Sequence, residues 1–304
     1  MIYTITLNPS IDYVVQVNRL ELGKLNKMEN ELKLPGGKGI NVSRLLQELD
    51  YETTALGFLG GFTGNFIATR LQADGIPADF IPVEADSRIN LKLKSEQETE
   101  INGRGPEISS KESEQLLRQL ETITAQDIVI LSGSKPPSLP TDFYQRLVDT
   151  ITSEGAEFVI DTTGAALKAA LPEQPLLVKP NLEELAELYD VNMHQKEDAL
   201  PYGKKLLEAG AKNVIVSMAG EGALLFTQDG IFHGMPPKGK VKNSVGAGDS
   251  MIAGFIGKYT KTQDVQQAFQ MGIASGSATA FSDDLAKKDN ILALLNQIEI
   301  TRLA

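Results

Sequence analysis

Residues 243–255 read Asn-Ser-Val-Gly-Ala-Gly-Asp-Ser-Met-Ile-Ala-Gly-Phe. The small residues Gly246, Ala247 and Gly248 precede a helical pattern, so their backbone N–H groups are free to converge on an anion. The positive end of the helix dipole strengthens that pull. Asp249 then falls in the first helical turn, beside the anion site. Transfer of a phosphoryl group to a hydroxyl needs both parts: donors for the charge on the moving group, and a carboxylate to take the hydroxyl proton. The same residues also suit an ordinary helix start, with Asp249 as a cap and the glycines as close-packing positions. On this stretch alone the two readings are balanced.

A second glycine-rich stretch, Gly36-Gly37-Lys38-Gly39-Ile40-Asn41-Val42-Ser43, also leads into a helical pattern. Its glycines allow close backbone approach to a ligand, and Lys38 and Asn41 add a charge and an amide with donor and acceptor capacity. A plain glycine-rich turn fits the spacing equally well. Two other matches fail on chemistry. Gly234–Val241 contains G-x4-G-K, but Pro236 and Pro237 lack the N–H groups a phosphate loop uses. Val241 also stands where a Ser or Thr would hold magnesium. Gly246-Ala-Gly248 is no dinucleotide fingerprint, because Met251 occupies the place of the third glycine. His194 and His233 have no metal-ligand spacing, so both are expected to be ordinary surface or loop residues and zinc is not expected.

Outward from these motifs, apolar β-type runs alternate with helical patterns, which predicts βαβ units and a mostly parallel sheet. The runs are Ile2–Leu7, Ala55–Leu59, Ile128–Leu131, Phe158–Ile160, Leu176–Val178 and Val214–Val216. Helical stretches cover Ile40–Leu49, Lys111–Leu120, Thr141–Ile151, Glu183–Tyr189 and Val265–Phe281. Several runs end in small or polar residues: Ser132-Gly133-Ser134, Asp161–Gly164, Lys179-Pro180-Asn181 and Ser217–Gly220. Open α/β sheets bind ligands at such carboxyl ends. Four together predict one shared crevice. Two segments break the rhythm. Asp12–Leu34 and Ile89–Ile101 alternate apolar with charged residues, as a half-exposed sheet does. They predict a small β-layer, residues 12–34 and 89–101, projecting from a main domain of residues 1–11, 35–88 and 102–304.

The net charge of −11 repels nucleic acid and anionic membrane over the whole surface. No apolar run reaches the roughly 18 residues of a membrane span, and no signal-peptide pattern opens the chain. Without cysteine there are no disulfides, thiolate metal sites or thiol nucleophiles. A cytoplasmic enzyme is expected, one that binds neither nucleic acid nor membrane. Between Arg19 and Arg44, six cations (Arg19, Lys24, Lys27, Lys33, Lys38, Arg44) outnumber Glu21, Glu29 and Glu31. Counting charges alone favours a solvated face there.

Gly36–Ser43 and Asn243–Phe255 resemble the two signatures of the ribokinase-like carbohydrate kinases, the PfkB family. Thr4–Asp12, Gly57–Gly61, Arg88-Ile89-Asn90, Ser132–Ser134, Asp161–Gly164, Lys179–Asn181 with Glu184, and Ser217–Ala223 fall in family order, so the similarity spans essentially the whole chain. Within the family, the lysine of GGKG and the TLNPSID opening resemble the sugar-phosphate branch. The resemblance implies a three-layer α/β sandwich with a mostly parallel central sheet and a small β-sheet lid. The implied reaction is transfer from ATP, with Mg2+, to a ketohexose monophosphate. D-fructose 1-phosphate is the preferred acceptor and tagatose 6-phosphate the alternative; a non-catalytic sugar-phosphate sensor is more distant. Asp249 resembles the family's catalytic base, and Gly246, Ala247 and Gly248 its anion hole. Asp12, Gly37 and Asn41 correspond to positions that hold sugar hydroxyls, and Lys38, Arg88 and Asn90 to contacts with the substrate or its phosphate. Lys24 is implied to reach the phosphate from a partner subunit in a homodimer joined through the lid, which gives the Arg19–Arg44 excess a use. Lys179, Asn181, Ser217, Ala219, Gly220, Gly222, Asn243 and Gly248 are implied to line the nucleotide site. Asn181 and Glu184 are implied to act through magnesium and water. Asp50, Met218-Ala219 and Ser138 depart from the family pattern, away from the base and the anion hole.

Overall fold

Strand residues point alternately to opposite faces, so a run that is apolar throughout forms a stable strand only when both faces are covered. The computed structural model, which describes residues 1–303, meets that condition with helices on both sides of one large sheet. Its first part contains β1 (Ile2–Thr6), β2 (Ser10–Gln16), β3 (Asn30–Gly36), α1 (Lys38–Glu48), β4 (Thr53–Gly60), α2 (Gly61–Ala73) and β5 (Ala78–Val83). Then come β6 (Arg88–Lys94), β7 (Glu98–Asn102), α3 (Ser110–Leu120), β8 (Ile128–Ser132), α4 (Phe143–Ser153), β9 (Glu157–Asp161), α5 (Gly164–Ala170) and β10 (Leu177–Val178). The remainder holds α6 (Leu182–Tyr189), α7 (Lys196–Glu208), β11 (Val214–Ser217), β12 (Ala223–Thr227) and β13 (Gly230–Met235). It ends with α8 (Ala247–Thr262), α9 (Val265–Ala280), α10 (Lys288–Leu295) and β14 (Glu299–Arg302).

The large sheet has the order β14-β13-β12-β11-β10-β9-β8-β1-β4-β5. From β11 to β5 every pairing is parallel, and β12, β13 and β14 add an antiparallel edge. Alternation divides the core. Val129, Leu131, Phe158, Ile160, Val214 and Val216 face the layer of α3 to α7; Ile128, Ile130, Val159 and Ile215 face that of α1, α8, α9 and α10. The mostly parallel, three-layer sandwich expected from the sequence is therefore present. The antiparallel edge was not among the predicted runs, and it corrects one expectation. His233 is neither a surface nor a loop residue: it is buried on β13, with Nε2 2.9 Å from the Glu221 carbonyl oxygen.

The second sheet, β3-β2-β6-β7, joins the two alternating segments. Pairing runs from Ser10 to Gly36 and from Arg88 to Asn102, slightly past the expected bounds. The first segment is not continuous strand. Between Gln16 and Asn30 the chain leaves the sheet, turning at Gly23 with a φ of 76°, a conformation only glycine adopts without strain.

Candidate active site

The parallel strands all end on one side, and the chain runs from β1 to β4 in one direction while β8 lies on the other flank of β1. Such a reversal opens a crevice beyond the strand ends. Here it is a cavity of about 680 Å³, roofed by the small sheet. Its walls are Thr6 at the end of β1 and Asn8 beyond it, Ser132 ending β8 with Gly133 and Ser134 beyond, Asp161 ending β9 with Thr162 and Thr163 beyond, Lys179 after β10 and Ser217 at the end of β11. The roof supplies Asp12, Arg88, Asn90, Lys92, Glu100 and Asn102.

At the centre, α8 is preceded by Gly246 with a φ of 77°, a left-handed value that an L side chain would resist. This turn aims the start of α8 at the cavity, and Asp249 follows in its first turn, buried. Asn41 Nδ2 donates to Asp249 Oδ2 at 2.8 Å. Burial, reinforced by the nearby Asp161 charge, pushes the Asp249 carboxyl up to about 6, while the Asn41 hydrogen bond, Lys38 and Lys179 pull it down. Asp161 is fully enclosed. Lys38 Nζ lies 2.9 Å from its Oδ2 and Lys179 Nζ 3.7 Å from its Oδ1. Burial works to raise the Asp161 carboxyl, but the two lysines overcome it and hold the group below the usual carboxylate range. Burial also disfavours the Lys38 charge, yet Asp161 and Asp249 keep that ammonium above the usual lysine range. Inside the cavity Lys38 and Lys179 thus flank Asp161, a carboxyl held low, while Asp249 beside them is raised to about 6 and poised to exchange a proton.

Most of the expected site residues meet here: Asp12, Gly37, Lys38, Asn41, Arg88, Asn90, Lys179, Asn181, Glu184, Ser217, Gly246, Gly248 and Asp249. Others stand apart. Lys24 is exposed and pairs with Glu21 of its own chain at 2.5 Å. Ala219 and Gly220 form an exposed turn beyond Ser217, closed by Gly222. Asn243 borders a neighbouring cavity and accepts from Val245 N–H at 3.1 Å, bracing the loop before α8. Ala247 begins α8 outside the lining. Arg88 spends donors on structure, with Nε to the Asn8 carbonyl at 3.0 Å and Nη1 to that of Gly103 at 3.2 Å. Most of the six cations are also paired: besides Lys24, Lys33 pairs with Glu31, Arg44 with Asp284 and Lys38 with Asp161. Sequence reasoning missed Asp161 and Lys92 as site residues. Asp161 was legible as a polar residue at a strand end, in a stretch that falls in family order but was given no role, and Lys92 as one charge in an alternating strand.

Magnesium can be tested against the residues expected to hold it. Asn181 Oδ1 accepts from Glu184 N–H at 2.7 Å, and Glu184 Oε2 accepts from Asn181 N–H at 2.8 Å, a reciprocal cap on α6. Each oxygen is partly committed, which leaves Glu184 Oε1 for the cavity. Among the described residues no group of three or more His, Cys, Asp or Glu side chains is arranged to hold a metal. This donor set fits an ion that keeps its water and leans on a ligand's phosphates, as magnesium does, and not a protein cage. Among the described residues no helix is long and apolar enough to cross a membrane.

The sandwich with its accessory sheet is the ribokinase-like fold. It matches Arabidopsis thaliana ribokinase complexed with ribose and ATP at a TM-score of 0.80 and 20% identity, over 97% of this chain and 98% of that one, a likeness of fold alone. More narrowly, the chain belongs to the pfkB family of carbohydrate kinases, whose profile matches residues 5–288. It is 48% identical over 303 residues to the 1-phosphofructokinase of Bacillus subtilis, covering 100% of each chain. It is 36% identical over 304 residues to the D-tagatose-1-phosphate kinase of Bacillus licheniformis, again covering 100% of each. Phosphofructokinase-2 from Escherichia coli in complex with fructose-6-phosphate matches at a TM-score of 0.91 and 28% identity, over 97% of this chain and 98% of that one.

Proposed function

We propose that this carbohydrate kinase transfers the γ-phosphoryl group of ATP to O6 of D-fructose 1-phosphate, giving ADP and fructose 1,6-bisphosphate. The observation that carries the reading is Asp249: a buried carboxyl at a helix start, raised to about 6, in a cavity that also holds Lys38 and Lys179. Asp249 takes the O6 proton as O6 forms its bond to the γ-phosphorus, and the bond from that phosphorus to the β,γ-bridging oxygen breaks. The N–H groups of Gly246 and Gly248, which line the cavity, meet the charge on the transferring group, whereas that of Ala247 donates to the Ser244 carbonyl at 3.3 Å. Asp12, Gly37, Asn41 and Asn90 bind the sugar. Lys38 and Arg88 meet its phosphate. Lys179, Asn181 and Ser217 serve the nucleotide, with Ala219, Gly220, Gly222 and Asn243 at its outer edge. Magnesium, held through water by Asn181 and Glu184, would neutralise charge on the nucleotide phosphates.

The relatives named for fructose 1-phosphate and tagatose 1-phosphate chemistry support a ketohexose 1-phosphate as acceptor. They favour it over tagatose 6-phosphate with transfer to O1, the second reading. The face of the small sheet opposite the cavity exposes Ile89 and Ile101, and the loop before β3 exposes Leu22, Leu25 and Met28, apolar residues that support a homodimer through this layer. Lys24 of one protomer would then reach its partner's acceptor phosphate. Sugar phosphates and ATP are cytoplasmic metabolites, which suits a cytoplasmic enzyme. ATP turnover with a panel of ketohexose monophosphates tests the assignment. Fructose 1-phosphate should give the highest kcat/KM, and preference for a 6-phosphate would overturn it.

A further inference from the structure

The roof of the cavity is one face of the small sheet, and the register there brings Asp12 opposite Asn90 and Val14 opposite Lys92. Asp12 is fixed through a single oxygen. Its Oδ1 accepts from Ser10 Oγ at 2.7 Å and from Asn90 Nδ2 at 3.1 Å. The carboxylate fits only because residue 36 is glycine: a Cβ there would stand 2.4 Å from Asp12 Cγ. The other oxygen, Oδ2, faces Lys92 Nζ across 3.7 Å. Lys92 is buried and lines the cavity, and its second carboxylate is Glu100 of β7, at 3.5 Å.

These distances are the unusual part. A charge-assisted N–H···O bond normally closes to about 2.7–2.9 Å, and a buried ammonium has strong reason to make one. Lys92 stops short of both carboxylates. Lys94, two residues further along the same face of β6 and opposite Glu98, is less buried than Lys92. Lys92 holds its charge at the flank of Asp12 Oδ2 and leaves that oxygen's lone pairs open to the cavity.

We infer that Lys92 is a positioning residue for the acceptor, holding Asp12 Oδ2 turned into the cavity to accept hydroxyls of the sugar phosphate. The inference rests on the acceptor assignment above. It differs from a phosphate-binding role for Lys92, because the lysine acts through Asp12 and does not touch the acceptor phosphate. Loss of the ammonium leaves Asp12 Oδ2 free to rotate away or to take another partner, so the acceptor is bound less well while the nucleotide side is untouched.

The test is a double-mutant cycle on the full-length enzyme, with Lys92→Met, Asp12→Asn and the pair, plus Lys92→Arg. Steady-state KM for acceptor and for ATP, kcat and melting temperature are measured for each. Lys92→Met should raise the acceptor KM about tenfold or more, the scale of a lost charge-assisted contact, with ATP KM and kcat near wild type. In the Asp12→Asn background the same change should add little, and Lys92→Arg should recover most of the loss. Independent, additive effects would overturn the inference by making Lys92 a direct ligand contact. So would an unchanged acceptor KM, or a lowered melting temperature with equal loss for both substrates. Wild-type turnover on the acceptor panel separates the two levels. If another ketohexose phosphate is the better acceptor, only the substrate assignment falls and the cycle is run on that sugar. A wild type inactive with every member overturns both.

Discussion

Asn41 donates its side-chain N–H to Asp249 Oδ2 at 2.8 Å, joining the first turn of α1 to the first turn of α8 across 208 positions of sequence. The two glycine-rich stretches thus meet at one hydrogen bond. It orients the carboxylate and favours its charged form against burial. Ser250 Oγ and Thr279 Oγ1, 2.8 Å apart, tie the next residue of α8 to α9, so the proposed base stands on a braced helix.

Asp249→Asn keeps the size and the contact with Asn41 but cannot accept a proton. We expect kcat to fall by about 10²–10⁴-fold, the usual contribution of a general base. Binding of ATP and sugar phosphate by calorimetry should be largely retained. A variant with near-wild-type kcat would remove Asp249 from the role.

Ionisation of Asp249 at about 6 predicts an acid limb in kcat/KM near that pH, with activity lost below it as the carboxylate is protonated. Asn41→Ala removes a hydrogen bond that favours the charge, so the limb should move to higher pH. Stability carries the same signature. The folded value lies above the ordinary 3.8, so between about 4 and 6 the folded chain binds more protons than the unfolded one. Stability therefore drops as pH rises through that window. Asp249→Asn should melt above wild type at pH 7–8 and lose the advantage as pH falls toward 4. Parallel melting curves across that range would contradict the assigned shift.

Lys38→Ala and Arg88→Ala should each raise the KM for fructose 1-phosphate far more than that for ATP. Lys38 is held by Asp161 in the described state and would turn to the acceptor. Arg88 also anchors the Asn8 and Gly103 carbonyls, so its loss should lower the melting temperature as well. A rise confined to the KM for ATP would move either residue to the nucleotide side.

If the protein is a homodimer that shares Lys24 across the small sheets, Lys24→Ala should weaken acceptor binding without unfolding the chain. Mixing Lys24→Ala with Asp249→Asn subunits should restore activity, because one site of each mixed dimer regains both residues. No recovery after verified exchange, or a fully active monomer by light scattering, would rule the arrangement out.

Individual residues show how much could be read in advance. Val129, Leu131, Phe158 and Val214 announced buried parallel strands because residues covered on both faces must be apolar throughout. The antiparallel edge stayed hidden for reasons other than length: Gly230, His233 and Gly234 interrupt the apolar run of β13, and β14 pairs with β13 over a long gap in sequence. Asp249 and the glycines of 246 and 248 stood out because a helix start and its first-turn carboxylate are local features. Lys92 did not, since an alternating strand shows which residues share a face but not what lies above it.

By itself the sequence determined the layered α/β architecture, the accessory sheet and the helix start that carries Asp249, all of which follow from patterns within a few residues. Tertiary structure alone decided the electrostatics. Asp161 is one residue of a polar strand end until the fold sets it between Lys38 and Lys179, and Asp249 is an ordinary carboxyl until α1, α8 and the strand ends close around it. Local pattern can be read along one segment. The charge state of a buried group depends on every segment that encloses it, through distances and desolvation that exist only once the chain has folded.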